Sequence, residues 1–505
     1  MPIINWRRLS GRSYFSSWPF ESGKDVLAID PDGVPCAFQL KGSTGKISQK
    51  EWGKYVEQVI RLVETPIVHP SIDENKPRKV FFVTNGELDE EVRLEISDRN
   101  RDWERRGLPT LTTIVKGELL ARFLGLHNNL WPKELIAYKD LLELFLEDGT
   151  GYLDKPKLAR FLLDVLQETD ESNKAEQIRS LSSLALIAEY AIHPFVEKKN
   201  HVAIIEAWTI YLASIISFVT KHEIQEKNWK SNFNLALEAI DQAFSSLIDE
   251  IQKRPYLVEG NPMVDSPFYH GRITWLAGLL SSFAIWKKSV DSNWSDENVL
   301  SFVNSNQKYF RLWGEAAIPQ LLSTTWFLRL NGIEPRASGL LDAIARGICS
   351  SNLTPEGNGL ADPYHGLGEV VINQTGLSET IQKENFKGRS YALESIIHLL
   401  TRWRWRGILE ELWPQITKID FVEYKTDEAW EFCLWHTETG KLTVHRPKFP
   451  QSWHELQEEA ERFDLAYVPK ALSENPAILL LFLIVYPHRI TKDVIKFLDR
   501  AFTSL

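Results

Sequence analysis

Three polar residues near the start of the chain have the types and spacing to do chemistry together. Asp25 opens an apolar run, VLAI, while Gln39 and Lys41 stand two apart at the end of a second run, CAFQL. Between the runs lies Pro31-Asp32-Gly33, strong turn chemistry. The stretch from Glu21 to Lys41 therefore predicts two short strands joined by a tight turn. Residues i and i+2 of a strand point to the same face, so Gln39 and Lys41 project together. Pairing around the turn brings Asp25 close to both. An acid, an amide and an ammonium at one end of a small sheet suit the binding of a divalent cation and the cutting of a phosphodiester. Such hydrolysis needs a hard cation on the scissile oxygens, and magnesium prefers carboxylates and water. A nearby lysine can lower the pKa of the attacking water and offset charge developing in the transition state.

The elements that must hold these groups can be read in order. Residues 6–20 are aromatic and basic and predict a short helix or turn leading into the hairpin. SQKEWGKYVEQVIRLVE predicts an amphipathic helix, with Ser48 as N-cap, Glu51 three residues on, and Trp52, Tyr55, Val56, Val59 and Leu62/Val63 at helical spacing. KVFFVT at 79–84 is a continuous apolar strand of the kind buried on both faces, ended by Asn85-Gly86. A charged helix follows with Val92 and Ile96 inward and Gly107 as its stop. Then come a strand, LTTIV, and a closing helix, GELLARFL. The pattern is a small α/β domain over residues 1–130. From 131 to 505 the periodicity is helical, with no fixed repeat, and composition left room for a further division near 375–425. Residues 429–445, AWEFCLWHTETGKLTVH, predict a β-hairpin over a TETG turn.

Composition sets the class. The 505 residues, 43% hydrophobic and 25% charged, describe a soluble globular protein of two or three domains. Residues 1–130 carry 19 basic against 18 acidic side chains, so the net charge of −10 belongs to the second part. That argues against a broadly DNA-coating protein but leaves open a local positive groove. Cys36, Cys349 and Cys433 lie far apart with no CxxC spacing, which speaks against a zinc ribbon or disulfide framework and fits a reducing cytoplasm. The first residues carry no apolar core of signal-peptide length. The run Ala477–Tyr486 is far short of the ~20 residues that span a bilayer, so a buried helix and no membrane association are expected.

The N-terminal pattern resembles the PD-(D/E)XK nuclease superfamily, and within it the Mrr-like restriction-endonuclease branch. GKDV at 23–26, QLK at 39–41 after 13 residues, a helix, a strand ending in TNG at 84–86, a second helix and a strand leading into GELL at 117–120 carry the resemblance. It covers roughly residues 14–126. It implies a restriction-endonuclease-like α/β domain with Mg²⁺ (Mn²⁺ as substitute) held by Asp25 and Gln39, and Lys41 positioning the water. Glu21 is the candidate for the upstream glutamate of many members, here only four residues before Asp25. The second position is Gln rather than Asp or Glu, as the Mrr-like branch often has, and one negative charge fewer should weaken metal affinity. By analogy of architecture the resemblance further implies a DNA endonuclease, with RNA less favoured. The analogy extends to an effector of restriction or anti-phage defence, whose helical region at 131–505 senses a trigger, homo-oligomerises or docks a partner. The alternative is a non-catalytic module, with the nuclease fold as a DNA-binding or assembly platform and the helices as a protein-interaction scaffold.

Other motifs weigh less. Tyr55 and Gln58 sit where a following helix could assist the site, and helix core and surface explain them equally well. Lys46, Lys50 and Lys54 could face phosphates, although a solvated helix end is the simpler reading. Arg402 to Arg406 interleave cations with tryptophans as single-strand binders do, but Trp403 as core with snorkelling arginines is favoured. GNGLADPYHGLGE at 357–369 has no phosphate-cradle spacing, and its His365 and acids read as a structured loop. No HxH or HxxxH pair occurs among the twelve histidines.

Overall fold

Gly33 turns the chain where the N-terminal sheet begins. It adopts φ 78°, a left-handed backbone that glycine enters without a Cβ penalty. Its N–H donates to Asp30 O at 2.9 Å, and Asp30 N donates to Val34 O at 3.0 Å. In this computed structural model the described residues are 13–14, 24–30, 33–43, 45–67, 77–119, 135–167, 173–253, 267–355, 357–375, 387–424, 426–436, 442–446 and 452–503. The expected hairpin forms from β2 (Val26–Ile29) and β3 (Pro35–Lys41), paired antiparallel with Leu27 opposite Ala37.

Ser13–Tyr14 forms a strand, β1, pairing antiparallel with β2, where the sequence suggested a helix or turn. The other residues of 6–20 lie outside the described set, as do Pro31, Asp32 and Glu21. After β3 come β4 (Lys46–Ile47), α1 (Gln49–Glu64), β5 (Lys79–Thr84), β6 (Glu87–Leu88), α2 (Glu90–Arg105) and β7 (Leu111–Ile114). The sheet order is β1-β2-β3-β5-β7, with β3–β5 and β5–β7 parallel. Parallel neighbours require crossovers, and α1 and α2 supply them. The closing helix can be followed only to Leu119.

Ser48 precedes α1, and Glu51 Oε2 accepts from the Ser48 backbone N–H at 3.4 Å. Helical spacing places Trp52, Val59, Leu62 and Val63 against Ala37, Val80 and Phe82 of the sheet and Val92, Ile96 and Trp103 of α2. Trp52 meets Phe82 edge-on at 5.3 Å. The opposite face differs from expectation. Phe81 and Val83 are half-buried and Leu40 is 43% exposed, so β5 alternates and is not sealed on both sides. Gly86 is fixed by close approach, because a Cβ there would lie 2.5 Å from Gly45 O.

The contacts divide the chain into two compact units, 1–135 with 168–187, and 136–167 with 188–505. Helices dominate the second, with a small sheet of β8 (Arg389–Ser390), β9 (Asp420–Tyr424) and β10 (Leu442–His445). Its central helices, Pro267–Val290 and Ile318–Leu330, cross tightly at Gly278, where a Cβ would overlap Gln320. Ser323 Oγ donates to Gly278 O at 2.9 Å across that crossing. The apolar run at 476–485 is a buried helix, as expected. The helix His201–Lys221 is long and apolar enough to cross a membrane by length and composition, with mean hydropathy 1.9, yet it is 89% buried within the protein.

The expected hairpin at 429–445 does not form. Ala429–Cys433 is a 3₁₀ turn, and β10 pairs antiparallel with β9 instead. The reason lies in backbone partners. Ser217 Oγ donates to Trp430 O at 3.0 Å, and Arg489 Nη2 donates to the carbonyls of Glu431 and Leu434. Carbonyls claimed by side chains cannot join a strand ladder. The TETG segment lies outside the described residues.

Glu315 makes the helical unit sensitive to pH. Its Oε2 accepts from the Tyr391 N–H at 2.6 Å, while Oε1 has no partner among the described residues. Burial, with a smaller contribution from Asp362, pushes its carboxyl up to about 8. The folded state keeps a proton that the unfolded chain releases near 4.5, so this contribution is full below pH 4.5 and lost as pH rises towards about 8. Burial acts oppositely on His398, lowered from 6.5 to about 3, whose contribution is lost as pH falls through that range. Between pH 7 and 8 the Glu315 slope should therefore emerge. Urea melts should show stability of the helical unit falling there by up to about 1.4 kcal/mol per pH unit. Glu315→Gln should flatten that slope, and an unchanged slope in the variant would reject the assignment.

Candidate active site

The site begins with a backbone hydrogen bond. Asp25 N donates to Phe38 O at 2.8 Å, although Phe38 already pairs with Val26. Asp25 and Val26 thus oppose a single residue of β3, a bulge at the end of the ladder, and the Asp25 side chain meets the residues just beyond it. Asp25 Oδ2 accepts from Gln39 Nε2 and, at 2.7 Å, from the Leu40 backbone N–H.

Gln39 is 1% exposed. It lies on the α1 side of the sheet, level with Phe82 of β5 and two residues from Ala37. Its Nε2 is spent on Asp25, and its Oε1 has no hydrogen-bond partner among the described residues. An orphaned buried carbonyl oxygen costs about 1–3 kcal/mol. It is also a hard oxygen donor, the kind that Mg²⁺ or Mn²⁺ accepts beside a carboxylate. Asp25 is itself exposed. The donor set, one carboxylate and one amide oxygen, thus fits a divalent cation, with fewer charges than an all-carboxylate site. Among the described residues no group of three or more His, Cys, Asp or Glu side chains could hold a metal ion.

Lys41 stands at the end of β3, level with Thr84. It shares the Gln39 face, but among the described residues no ion pair joins it to Asp25. Its Nζ lies over the Tyr55 ring at 5.8 Å from the centroid, and Tyr55 tilts against Phe82 at 6.3 Å. The structure therefore brings Asp25 and Gln39 into contact and rests Lys41 on α1. Sequence spacing could not reveal that role for Tyr55, because a half-buried tyrosine on a core-facing helix looks the same whether or not an ammonium sits on it. Glu21 lies outside the described residues. Gln58, Lys46, Lys50 and Lys54 are exposed.

The turn acid Asp30 has a structural partnership. Its Oδ1 accepts from Val34 N at 2.8 Å, and its Oδ2 pairs with Lys79 Nζ at 2.7 Å. In the second unit the Arg402–Arg406 segment is also structural. Asp499 accepts from Arg402 Nε at 2.7 Å, Trp403 Nε1 at 2.9 Å and Trp326 Nε1 at 3.1 Å. Within 357–369, His365 Nδ1 and Asp362 Oδ1 lie 3.0 Å apart, and that hydrogen bond raises the imidazole above its ordinary value.

No protein-family model, curated protein or solved structure matches this chain. The class defined by fold and site is thus an α/β unit bearing an acid–amide pair on a strand end, joined to a large helical unit.

The acid–amide pair generates a test that needs no turnover. Gln39→Glu places a second carboxylate against Asp25 and should tighten Mn²⁺ binding about tenfold, roughly 1.4 kcal/mol, by isothermal titration calorimetry. Asp25→Asn should abolish measurable binding. Affinities indifferent to both changes would mean that the pair is not a cation site.

Proposed function

We propose that the chain is a Mg²⁺-dependent nuclease that hydrolyses phosphodiester bonds, with DNA its favoured substrate. The observation that carries this reading is the contact of Asp25 with Gln39, whose buried Oε1 is left without a partner beside that carboxylate. The element order of hairpin, helix, parallel strand, helix and parallel strand supports a restriction-endonuclease-like fold for residues 1–130. Asp25 and Gln39 Oε1 would hold the cation, Mg²⁺ or Mn²⁺, and Glu21 would add a carboxylate from the residues before the hairpin. When bound, the cation supplies Lewis acidity towards the phosphate and a more acidic water.

The chain's own residues do the rest. The Leu40 N–H and the Gln39 amide orient Asp25, so its carboxylate need not reorganise during the reaction. Lys41, two residues from Gln39 on the same face, positions the attacking water and balances charge gathering on the phosphate oxygens. Tyr55 parks its ammonium between turnovers at little cost, since cation–π contact at exposed sites is worth about 0.5–1 kcal/mol. Lys46, Lys50 and Lys54, exposed beyond the strand end, bear on the nucleic-acid backbone.

The helical unit is read as the sensing and assembly part of a restriction or anti-phage effector, through homo-oligomerisation or a partner protein. A cytoplasmic setting accords with Cys36, Cys349 and Cys433, which are all free and buried; burial pushes the Cys349 thiol up to about 11. The second reading is a non-catalytic DNA-binding or assembly module. It is favoured by the absence of an ion pair between Lys41 and Asp25 among the described residues, and by Tyr55 holding the lysine instead.

Purified full-length protein with Mg²⁺ should degrade plasmid or linear DNA. Asp25→Ala and Lys41→Ala should each reduce cleavage at least about a hundredfold while leaving the melting midpoint in place. Equal cleavage by wild type and both variants would sink the nuclease assignment. Loss of Asp25-dependent metal binding together with intact DNA binding would establish the non-catalytic reading.

A further inference from the structure

The helical unit buries a positive charge that meets no counter-charge among the described residues. Arg489 is 0% exposed, on the short turn between the helices Pro476–Val485 and Lys492–Thr503. Its Nη2 donates to Glu431 O and Leu434 O, and its guanidinium lies on the Tyr424 ring at 4.0 Å. Among the described residues its Nε and Nη1 have no partner, and no carboxylate lies within ion-pair distance.

The neighbours add donors and positive charge. His488 is 1% exposed, with a backbone hydrogen bond at Trp435, and among the described residues the Tyr486 hydroxyl has no partner. Tyr364 stacks on His488 at 4.5 Å and on His436 at 5.1 Å. Trp435 closes on His488 at 4.9 Å and carries Lys155 Nζ over its outer face at 5.9 Å. Lys155 has its own counter-ion, Glu206, at 3.2 Å. Arg489 has none among the described residues. The groups that favour its charged form are the phenols of Tyr424, Tyr364 and Tyr486 and the Cys433 thiol, none of them a carboxylate.

A structural strut is the simpler account, and the two carbonyls suit it. It leaves Arg489 Nε and Nη1 and the Tyr486 hydroxyl unpaired among the described residues. Buried water can satisfy donors, but it does not offset a desolvated unit charge. An oxyanion does both, since its oxygens accept from several donors and its charge neutralises the guanidinium.

We infer that the cluster of Arg489, His488 and Tyr486 is a binding site for a compact oxyanion group, a phosphate or carboxylate, walled by Tyr364, Trp435 and Tyr424. The ligand is free phosphate or the charged end of a larger metabolite such as a nucleotide. The site belongs to the helical unit alone and does not rest on the nuclease reading.

Thermal melts of the full-length protein test it, with inorganic phosphate, AMP, acetate or chloride at matched ionic strength. Phosphate should raise the midpoint by several degrees over chloride. Arg489→Met, which keeps the bulk and removes the charge, should erase that shift. Calorimetric titration should give one phosphate per chain. A larger shift with AMP than with phosphate would identify a nucleotide end, an equal one free phosphate, and a response to acetate alone a carboxylate. If Arg489→Met fails to fold, His488→Phe serves, and it should weaken phosphate binding at least about tenfold. A wild-type midpoint indifferent to all three anions, or an equal phosphate shift in the variants, would overturn the site and leave Arg489 as a strut.

Discussion

The pairing of β2 with β3, Val26 opposite Phe38 and Leu27 opposite Ala37, sets the register on which the N-terminal site depends. Strand side chains alternate faces, so a slip of one residue would swing Gln39 out of the α1 side and put Phe38 or Leu40 there. Several features oppose that slip. The Gly33 turn fixes the loop length, Asp30 ties the start of the turn to Lys79 of β5, and Ala37 is buried against α1. Phe38 stacks on Phe81 at 4.7 Å on the other face. The acid–amide contact is thus the end product of packing spread over four elements.

Polar atoms organise the helical unit as much as apolar area does. Its most apolar long helix, His201–Lys221, qualifies by composition for a bilayer but is buried among the other helices, and its Thr209 and Ser214 hydroxyls return to their own helix carbonyls at 2.8 and 3.0 Å. Such back-bonding lets a hydroxyl enter a core without an external partner. Exceptions among the described residues lie both at turns, as with Arg489, and within helices, as with the Tyr211 hydroxyl, Ser281 Oγ and His398 Nδ1.

The hairpin and the α1–β5–α2–β7 succession could be read from the sequence because each signal was local: a Pro-Asp-Gly turn, helical spacing at Trp52, Val59 and Val63, and the Asn85-Gly86 break. What the sequence misjudged turned on distant partners. AWEFCLW has strand composition, yet its carbonyls are taken by Ser217 and Arg489, more than fifty residues away in sequence at the least, as their separations of 213, 58 and 55 attest. The strand at Ser13–Tyr14 is two residues long and exists through its pairing with β2, which no local pattern announces. At the site, the i, i+2 rule placed Gln39 and Lys41 on one face and the turn brought Asp25 near. It could not say that Gln39 is buried with an orphaned oxygen, or that Lys41 rests on Tyr55, because both depend on how α1 lies against β3.

Asp499 carries a consequence of its own. One buried carboxylate, on the helix Lys492–Thr503, receives Trp326 of the helix Ile318–Leu330 and Arg402 and Trp403 at the end of the helix Leu393–Arg402. Withdrawing any one donor leaves the others bound to a charge that has lost part of its solvation. Substitutions among these residues should therefore couple strongly, with double-mutant cycles departing from additivity, and the helices they belong to should exchange amide hydrogens as a single cooperative block.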